Sequence, residues 1–309
     1  MLLRHSRSSI PLALGVAVQA CAVGGGTSLT PAAVVAADSA LQAAIATERS
    51  IDPASFPPRT IGVAPFRVSA ADTTLAVLGY GLADLLITDL SRSASLRVVD
   101  RLRVDAFLRE TGLVARGFVD SATAPRMGRL IGARQIVSGA VLAPTPSEVR
   151  LDGRLGDVAS GSVRAVRGAS GSLDRILDAE KDLAFAIFER LGVTLSPAER
   201  ALVEQRPTRH LAALLAYSRG IRDEARGDFR SARRQYRAAL DRDPGFANPA
   251  ERLAQLGATL GADRLAVERA GILAVEGINR RMPPNVIGAG DPAFRQQLTG
   301  TVIIILNLP

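Results

Sequence analysis

The sequence predicts a mixed-sheet α/β domain followed by an α-helical region. Between residues 57 and 194, apolar runs of strand length alternate with amphipathic helical patterns, which is typical of an α/β sheet. Residues 195–280 show helical patterns instead, beginning with the capping box Ser196-Pro-Ala-Glu199. With 309 residues and 47 % apolar side chains, the chain can bury a substantial core.

Residues 1–20 have the pattern of a secretory signal. Arg4 and Arg7 precede a short apolar stretch, and small residues follow it immediately before Cys21. The four residues VQAC that end at Cys21 resemble a lipobox, which predicts that Cys21 carries lipid and anchors the chain to a membrane. An ordinary signal peptide followed by an incidental cysteine is the alternative.

Residues 21–56 are expected to be a tether between the anchor and the first domain. A glycine-rich start gives way to an alanine-rich stretch that predicts a short helix. By analogy with lipoprotein sorting, Ala22 in place of an aspartate favours the outer membrane, with the protein facing the periplasm. Pro57-Pro58 then marks the start of the α/β domain.

The α/β domain, residues 57–194, is predicted to follow the order β-α-β-α-α-β-β-β-α. The strand at 149–158 alternates apolar and charged residues, which predicts one buried and one solvated face. All its elements are inferred from apolar periodicity: strands at 60–66, 96–100, 135–142, 149–158 and 163–167, and helices at 74–91, 104–111, 123–131 and 173–191.

Several sequence blocks in this domain, together with the hairpin that follows them, carry a family resemblance, and VVDR at 98–101 and GARQIVSGAV at 132–141 contribute most of it. The blocks are IGVAPF at 61–66, GLADLLITDL at 81–90, LRVVDRLRVDAFL at 96–108 and IGARQIVSGAV at 131–141. In this order they resemble the soluble domain of the curli-secretion (CsgG/HfaB) family, whose structural group includes the amino-terminal domain of TolB. The resemblance covers about residues 58–193 and implies a CsgG/TolB-N-like fold with a role in envelope assembly or curli-type transport.

One departure from that family bears on function. Its secretion channels carry additional amphipathic hairpins, whereas this chain has only APTPSE between Leu142 and Val149. That segment is too short for a pair of membrane-spanning strands, each of which needs about 9–11 residues. We therefore expect the soluble part of the family alone. A ring-forming channel component without its own membrane hairpins is an alternative.

Residues 213–246 resemble a tetratricopeptide repeat. The resemblance implies a scaffold in which small residues let two helices approach, an aromatic ring fills the space between them, and a proline ends the second helix. One repeat cannot bury its apolar face alone, so its partner is expected in the 196–206 helix, in helices over 249–279, or in another subunit of a homo-oligomer. The matching positions are Gly220, Gly227, Ala232, Tyr236, Ala239 and Pro244.

The charge and the end of the chain leave alternatives open. Residues 208–255 contain ten arginines and six acidic residues, which indicates either a groove for an acidic protein partner or a solvated face. Residues 281–309 are rich in turn residues but contain the β-prone run Thr301–Leu308. This run is predicted to add a strand to a sheet or to pack on the core.

The search for chemistry is largely negative. A single cysteine excludes disulfides within the chain and multi-cysteine metal sites, and the lone lysine, Lys181, excludes a Walker-A loop. Gly79-Tyr-Gly81 resembles the start of a dinucleotide loop but lies inside a helix, and Asp84 and Asp89 are too far apart to share one helix face. His210 is expected to be a surface residue. We therefore predict no catalytic, cofactor or metal residues and no nucleic-acid partner.

The sequence is best interpreted as a non-catalytic, periplasm-facing outer-membrane lipoprotein. It would act as an envelope assembly, transport or protein-interaction module, with protein partners binding through the helical repeat. A small-molecule-sensing periplasmic module is the alternative from a different functional class, because loops of an α/β domain can surround a pocket.

Overall fold

A computed structural model describes residues 31–114, 118–120, 122–145 and 147–257. Within these ranges the strands are β1 (Thr60–Val63), β2 (Arg67–Ala70), β3 (Arg97–Val98), β4 (Gln135–Thr145), β5 (Glu148–Asp157) and β6 (Val163–Gly171). The helices are α1 (Pro31–Ala46), α2 (Leu78–Leu90), α3 (Arg101–Glu110), α4 (Ala124–Ile131), α5 (Ile176–Arg190), α6 (Pro197–Val203), α7 (Leu211–Ala225) and α8 (Phe229–Arg242). Residues 247–257 are also helical.

The strands form one mixed sheet, as the sequence predicts. Its order is β3-β1-β4-β5-β6, with β2 pairing β4 beyond the end of β1. Strands β1, β2 and β3 all run parallel to β4, with helices connecting β2 to β3 and β3 to β4, whereas β4, β5 and β6 form an antiparallel meander. The alternating burial of β5 confirms the expected solvated face.

Each face of the sheet carries its own hydrophobic core. On one face α2 and α5 pack against side chains such as Val63 and Leu151, and this core continues into α7 and α8. On the other face α3 and α4 pack against Ile136 and Ala64, with α1 lying outside them. The arrangement is a three-layer α/β domain in which one core extends into the helical region.

The predicted strand at 60–66 is two strands in the structure. Pro65 has no N–H to give to the sheet, and the N–H of Phe66 donates instead to the carbonyl of Gly79, at 3.0 Å. The chain therefore leaves the sheet after Val63 and returns to it at Arg67. The sequence interpretation missed β2 for this reason.

Other boundaries differ because of local caps and turns. The carboxylate of Asp100 accepts from the N–H of Leu102, so α3 begins at Arg101 and not at 104, and β3 is correspondingly shorter than 96–100. The hairpin between β4 and β5 has only two connecting residues, which makes both strands longer than predicted. The long helix expected at 173–191 begins as a 3₁₀ turn at Leu173–Arg175 before α5.

The predicted tether contains folded structure. Helix α1 packs against α3 and α4, and its Leu41 is buried. Arg109 on α3 reaches both the carboxylate of Asp38, at 2.6 Å, and the carbonyl of Ala225 at the end of α7. Residues from Pro31 onward thus belong to the folded body, and only the earlier part of the predicted tether lies outside the described residues.

Candidate functional site

The helices α7 and α8 form a hairpin where the repeat is predicted. A Cβ at Gly220 would lie 2.3 Å from the Tyr236 ring, so the absence of a side chain lets α8 approach α7 closely. Ala232 and Ala239 are fully buried beside that ring. Tyr236 packs in turn against Tyr217, with their ring centroids 5.7 Å apart. These positions therefore build the interior of the hairpin.

The remaining predicted residues occupy turns or fall outside the described ranges. Gly227 joins the two helices with a φ of 80°, in the left-handed region that glycine tolerates. Pro244 follows the end of α8 at Arg242. Cys21 lies outside the described residues. The geometry agrees with a repeat-type hairpin, but its assignment to the tetratricopeptide family stays a prediction.

The hairpin docks on α2 of the α/β domain. At Gly81, a Cβ would lie 1.9 Å from Ser218 Oγ and 3.2 Å from Ser218 Cα, so α2 and α7 are in backbone contact there. The expected partners of the hairpin were α6, the helices after 249 or a second subunit. The principal partner of α7 besides α8 is instead α2, while residues 247–257 supply Leu256 and Arg252 to the same interior.

A buried ionic network lies at this contact, and we call it the junction cluster. It joins α2, α3, α7 and the helical residues 247–257. Arg101 lies 2.9 Å from Asp105 and 3.1 Å from Asp84, and it also pairs with Glu224. Arg252 pairs with Asp84, whose second oxygen accepts the Tyr217 hydroxyl. The cluster consists of Asp84, Arg101, Asp105, Glu224 and Arg252.

The junction cluster carries three carboxylates and two guanidinium groups away from water. Burial raises the pKa of Asp105 to about 6, because the attraction of Arg101 only partly offsets desolvation and Glu224 repels the charge. Burial alone would lower the pKa of Arg101, but the carboxylates of Asp105 and Glu224 outweigh it and raise that pKa. The two arginines therefore stay charged. The arrangement suits a structural joint.

A second buried group lies between α2 and α5. Lys181, the only lysine of the chain, lies 2.5 Å from Asp89 and 3.4 Å from Glu180. Desolvation is the main cause that raises the pKa of Glu180 to about 8, followed by repulsion from Asp89. Glu180 is thus protonated at neutral pH, which leaves one carboxylate, that of Asp89, to balance the lysine.

The exposed side of α8 is basic. Arg230, Arg234 and Arg237 are exposed there, and we call them the arginine face. None of the described carboxylates forms an ion pair with any of the three. Arg234 donates a hydrogen bond to Ser231 Oγ at 2.7 Å within α8. An exposed row of guanidinium groups can bind carboxylates of a partner by paired hydrogen bonds.

The described residues contain no cluster suited to a metal ion. They hold no group of three or more His, Cys, Asp or Glu side chains that could hold a metal. His210 is exposed and directly precedes α7. The stretch Thr73–Leu90 is long and apolar enough to cross a membrane, but 72 % of it is buried, and in this fold it includes the core helix α2.

Comparison with known families agrees with the fold. Residues 55–148 match the family model described as "Curli production assembly/transport component CsgG". This part of the α/β domain is similar to that family. The matched segment runs from the turn before β1 to the first residue of β5, so it includes α2, α3 and α4. Strand β6, α5 and the helical hairpin lie after it. No curated protein sequence matches the chain.

Three solved structures similar to the chain are an LpoB domain, a lipoprotein and TolB. The LpoB C-terminal domain from Salmonella enterica is 14 % identical, with 44 % of this chain and 96 % of that chain covered and a TM-score of 0.30. A lipoprotein from Neisseria meningitidis is 18 % identical, with 45 % and 100 % covered and a TM-score of 0.28. TolB from Acinetobacter baumannii is 18 % identical with a TM-score of 0.28, and the match covers 44 % of this chain but 28 % of TolB.

The junction cluster is what reasoning from the sequence missed. The spacing of Asp84 and Asp89 predicts only that these acids do not share a helix face. The structure agrees, since Asp84 faces α3 and α7 while Asp89 faces α5. The available signal was the position of two acids within the apolar helix GLADLLITDL, where solvent-facing positions are few. Likewise, Gly79 and Gly81 allow close packing, because a Cβ at either position would collide with Phe66 or Ser218.

Proposed function

We propose that the chain is a non-catalytic envelope lipoprotein that works as a protein-interaction module in assembly or transport. The observation that carries this proposal is the match of residues 55–148 to the CsgG assembly/transport family. The docked hairpin adds a second recognition element to that domain. Since α7 contacts α2 directly, a partner bound to the hairpin is held at a fixed position relative to the α/β domain.

The anchor is the first testable part of the proposal. Lipid on Cys21 would hold the protein in the outer membrane, facing the periplasm, because two or three acyl chains together give stable membrane binding. In Cys21→Ser, we expect the protein to move from the membrane fraction to the soluble fraction of the envelope. Ala22→Ser is the matched control and stays membrane-bound. A Cys21→Ser protein that remains firmly in the membrane would rule out the lipid anchor.

The arginine face is the proposed contact for an acidic protein partner. Its three side chains are exposed, and they follow one side of a fourteen-residue helix. The residues that build the interior of the hairpin, Gly220 and Tyr236 among them, hold this helix in place without contacting the partner.

Charge reversal tests that contact. The variant carries Arg230→Glu, Arg234→Glu and Arg237→Glu, and the control reverses three exposed arginines on the sheet, Arg150, Arg154 and Arg164. Chemical crosslinking in the native envelope, followed by mass spectrometry, identifies the acidic partner of the unaltered protein. We expect the first variant to lose that partner and the control to keep it. Equal retention by both variants would remove the arginine face from the proposal.

A further inference from the structure

Helix α5 and strand β6 border a groove on the surface of the α/β domain. Its volume is about 930 Å³, and it is lined by residues 168–170 of β6, by α5 and by the loop that follows α5. Its floor is apolar and consists of the half-buried Phe185, Ala186 and Leu195. A cavity of this size can hold several side chains of a bound segment, and the floor favours an apolar one.

Ser170 of β6 turns its backbone toward this groove. The N–H of Asp157 donates to the carbonyl of Ser162 at 2.8 Å, so the odd-numbered residues of β5 bond to β6. Directions alternate along a strand, and the bulge in this pairing adds its extra residue to β6. Arg150 of β5 therefore faces β4, and its partner Ser170 faces away from β5. Since Ser170 also lines the groove, its N–H and C=O can pair with an extended segment lying there.

Two carboxylates on α5 flank the apolar floor. Asp182 and Glu189 are exposed and line the groove. They are two helical turns apart, which places them on one side of α5 and about 10.5 Å from each other along its axis. The ion pairs of α5 in the described structure involve Asp178, Glu180 and Lys181 instead. In a chain with a net charge of +8, the groove is thus a local site of negative charge.

The basic side chain of the groove stands at one end of it. The Arg200 guanidinium lies 4.8 Å from the centre of the Phe185 ring and 3.8 Å from the carboxylate of Glu204. The ring and that carboxylate both attract the guanidinium. Asp182 and Glu189 have no such neighbour, so they are the charges that an occupant would meet.

We propose that the groove binds an extended segment of a partner protein with the pattern basic-x-apolar-x-basic. Alternate side chains of an extended segment share one face, so the apolar and the two basic side chains enter the groove together. The basic residues start about 13 Å apart, and flexible arginine or lysine side chains can reach carboxylates about 10.5 Å apart. The apolar side chain then lies on Phe185 and Ala186, while one residue of the segment pairs with Ser170. This surface is opposite in charge to the arginine face and independent of it.

Peptide binding to the full-length protein tests the charge pattern. The probe is a fluorescein-labelled peptide STRTLTRTS, followed by fluorescence anisotropy, and the control peptide STTRLRTTS carries its arginines on the face opposite the leucine. We expect the control peptide to bind about tenfold more weakly. Asp182→Asn combined with Glu189→Gln should weaken binding of the probe about tenfold, since two charge pairs are lost. Absence of binding, or equal binding of both peptides, would overturn the proposal.

A second pair of substitutions separates the groove from general attraction of a basic peptide. Asp174→Asn combined with Glu110→Gln removes the same charge from exposed positions outside the groove, and it should leave the affinity unchanged. Equal weakening by both double variants would overturn the proposal. Light scattering of the unaltered protein tests for another occupant. A dimer that dissociates in the groove variant would assign the groove to a second copy of the chain and would also overturn it.

Proline substitution tests the pairing with β6. Ser170→Pro removes an N–H that faces away from β5, at a kind of edge position where proline is tolerated, and we expect about a tenfold loss of affinity for the probe. Ala165→Pro removes another outward N–H of β6 outside the groove and should leave the affinity unchanged. Unchanged affinity in Ser170→Pro would overturn binding as a paired, extended segment. These measurements use purified protein and a synthetic peptide, so they do not depend on the lipid anchor or on the arginine face.

Discussion

At position 220 helix α7 has no side chain, and the Tyr236 ring occupies the space that a Cβ would need. The nearest ring atoms would be 2.3 and 2.6 Å away, which is much closer than carbon atoms approach. Tyr236 is itself fully buried, between Tyr217 and the backbone of α7. The ring cannot move outward without displacing α8, so this one residue sets the distance between the two helices.

Gly220→Ala is therefore expected to destabilise the protein despite the higher helix propensity of alanine. The added methyl group overpacks the hairpin, and we expect the free energy of unfolding to fall by about 1–3 kcal/mol in chemical denaturation. Gly257→Ala, in a helical stretch with open space around it, is the control and should change stability by less than about 0.5 kcal/mol. A neutral Gly220→Ala would show that α8 moves freely on α7.

Glu180 gives the protein a pH-dependent stability. Its pKa is about 8 in the folded state, raised first by desolvation and then by Asp89, against an ordinary value of 4.5. The folded state therefore holds a proton that the unfolded state releases, and stability falls as pH rises from about 4.5 to about 8. Asp105, with a pKa of about 6, adds to this loss only in the lower part of that range.

Glu180→Gln replaces the protonated acid by a neutral group of the same shape. We expect the variant to lose much less stability than the unaltered protein between pH 6 and pH 8, measured by denaturation at each pH. Glu189→Gln, exposed on the same helix, should leave the pH dependence unchanged. An equally steep pH dependence in Glu180→Gln would show that another group carries it.

At the scale of elements, the junction cluster decides how the hairpin sits on the α/β domain. Arg101 on α3 contacts carboxylates from α2, from α3 itself and from α7, and its side chain is 9 % exposed. Removing one partner of a buried network leaves the others without compensation, which costs more than the loss of a surface pair. Because each buried charge needs its neighbours for compensation, the junction cluster holds α2, α3, α7 and residues 247–257 together.

Arg101→Met is expected to be strongly destabilising. Three buried carboxylates would then face Arg252 alone, and we expect a loss of about 3–5 kcal/mol in the free energy of unfolding. Arg97→Met, at an exposed position on β3, is the matched control and should be close to neutral. Methionine keeps most of the buried apolar stem, so a small effect of Arg101→Met would mean that packing and not charge holds the joint.

Elements with local signals could be predicted from the sequence, and their junctions could not. The capping box at Ser196 is present as predicted, since it depends on residues three apart, and Arg150 and Leu151 alternate on β5 as the solvated face requires. In contrast, an acid in an apolar helix gives no sign of its partner. Asp84 meets Arg252 from 168 positions away, and only the fold brings them together. The same holds for Gly81, whose partner Ser218 lies in another element.

At the scale of the whole molecule, one hydrophobic core extends from the sheet into the hairpin. It contains Val63 of β1, Leu86 of α2, Leu214 of α7 and Phe246 after α8, without an interruption at residue 195. The two regions that the sequence suggests as separate domains therefore share an interior. Because the core is continuous, it holds α8 and its arginine face at a fixed position on the α/β domain, as the proposed function requires.

A shared core predicts a single unfolding transition, and the tyrosines allow a direct test. The chain has three, with Tyr80 in the α/β domain and Tyr217 and Tyr236 in the hairpin, so fluorotyrosine labelling gives one fluorine resonance for each. We expect all three native resonances to disappear at the same denaturant concentration, since neither region can keep its core after the other unfolds. Gly81→Ala, which presses on Ser218 at the joint, should lower all three midpoints together. If the resonances of Tyr217 and Tyr236 disappeared before that of Tyr80, the hairpin would be an independent unit on a separately stable domain, and the fixed geometry proposed for partner binding would not hold.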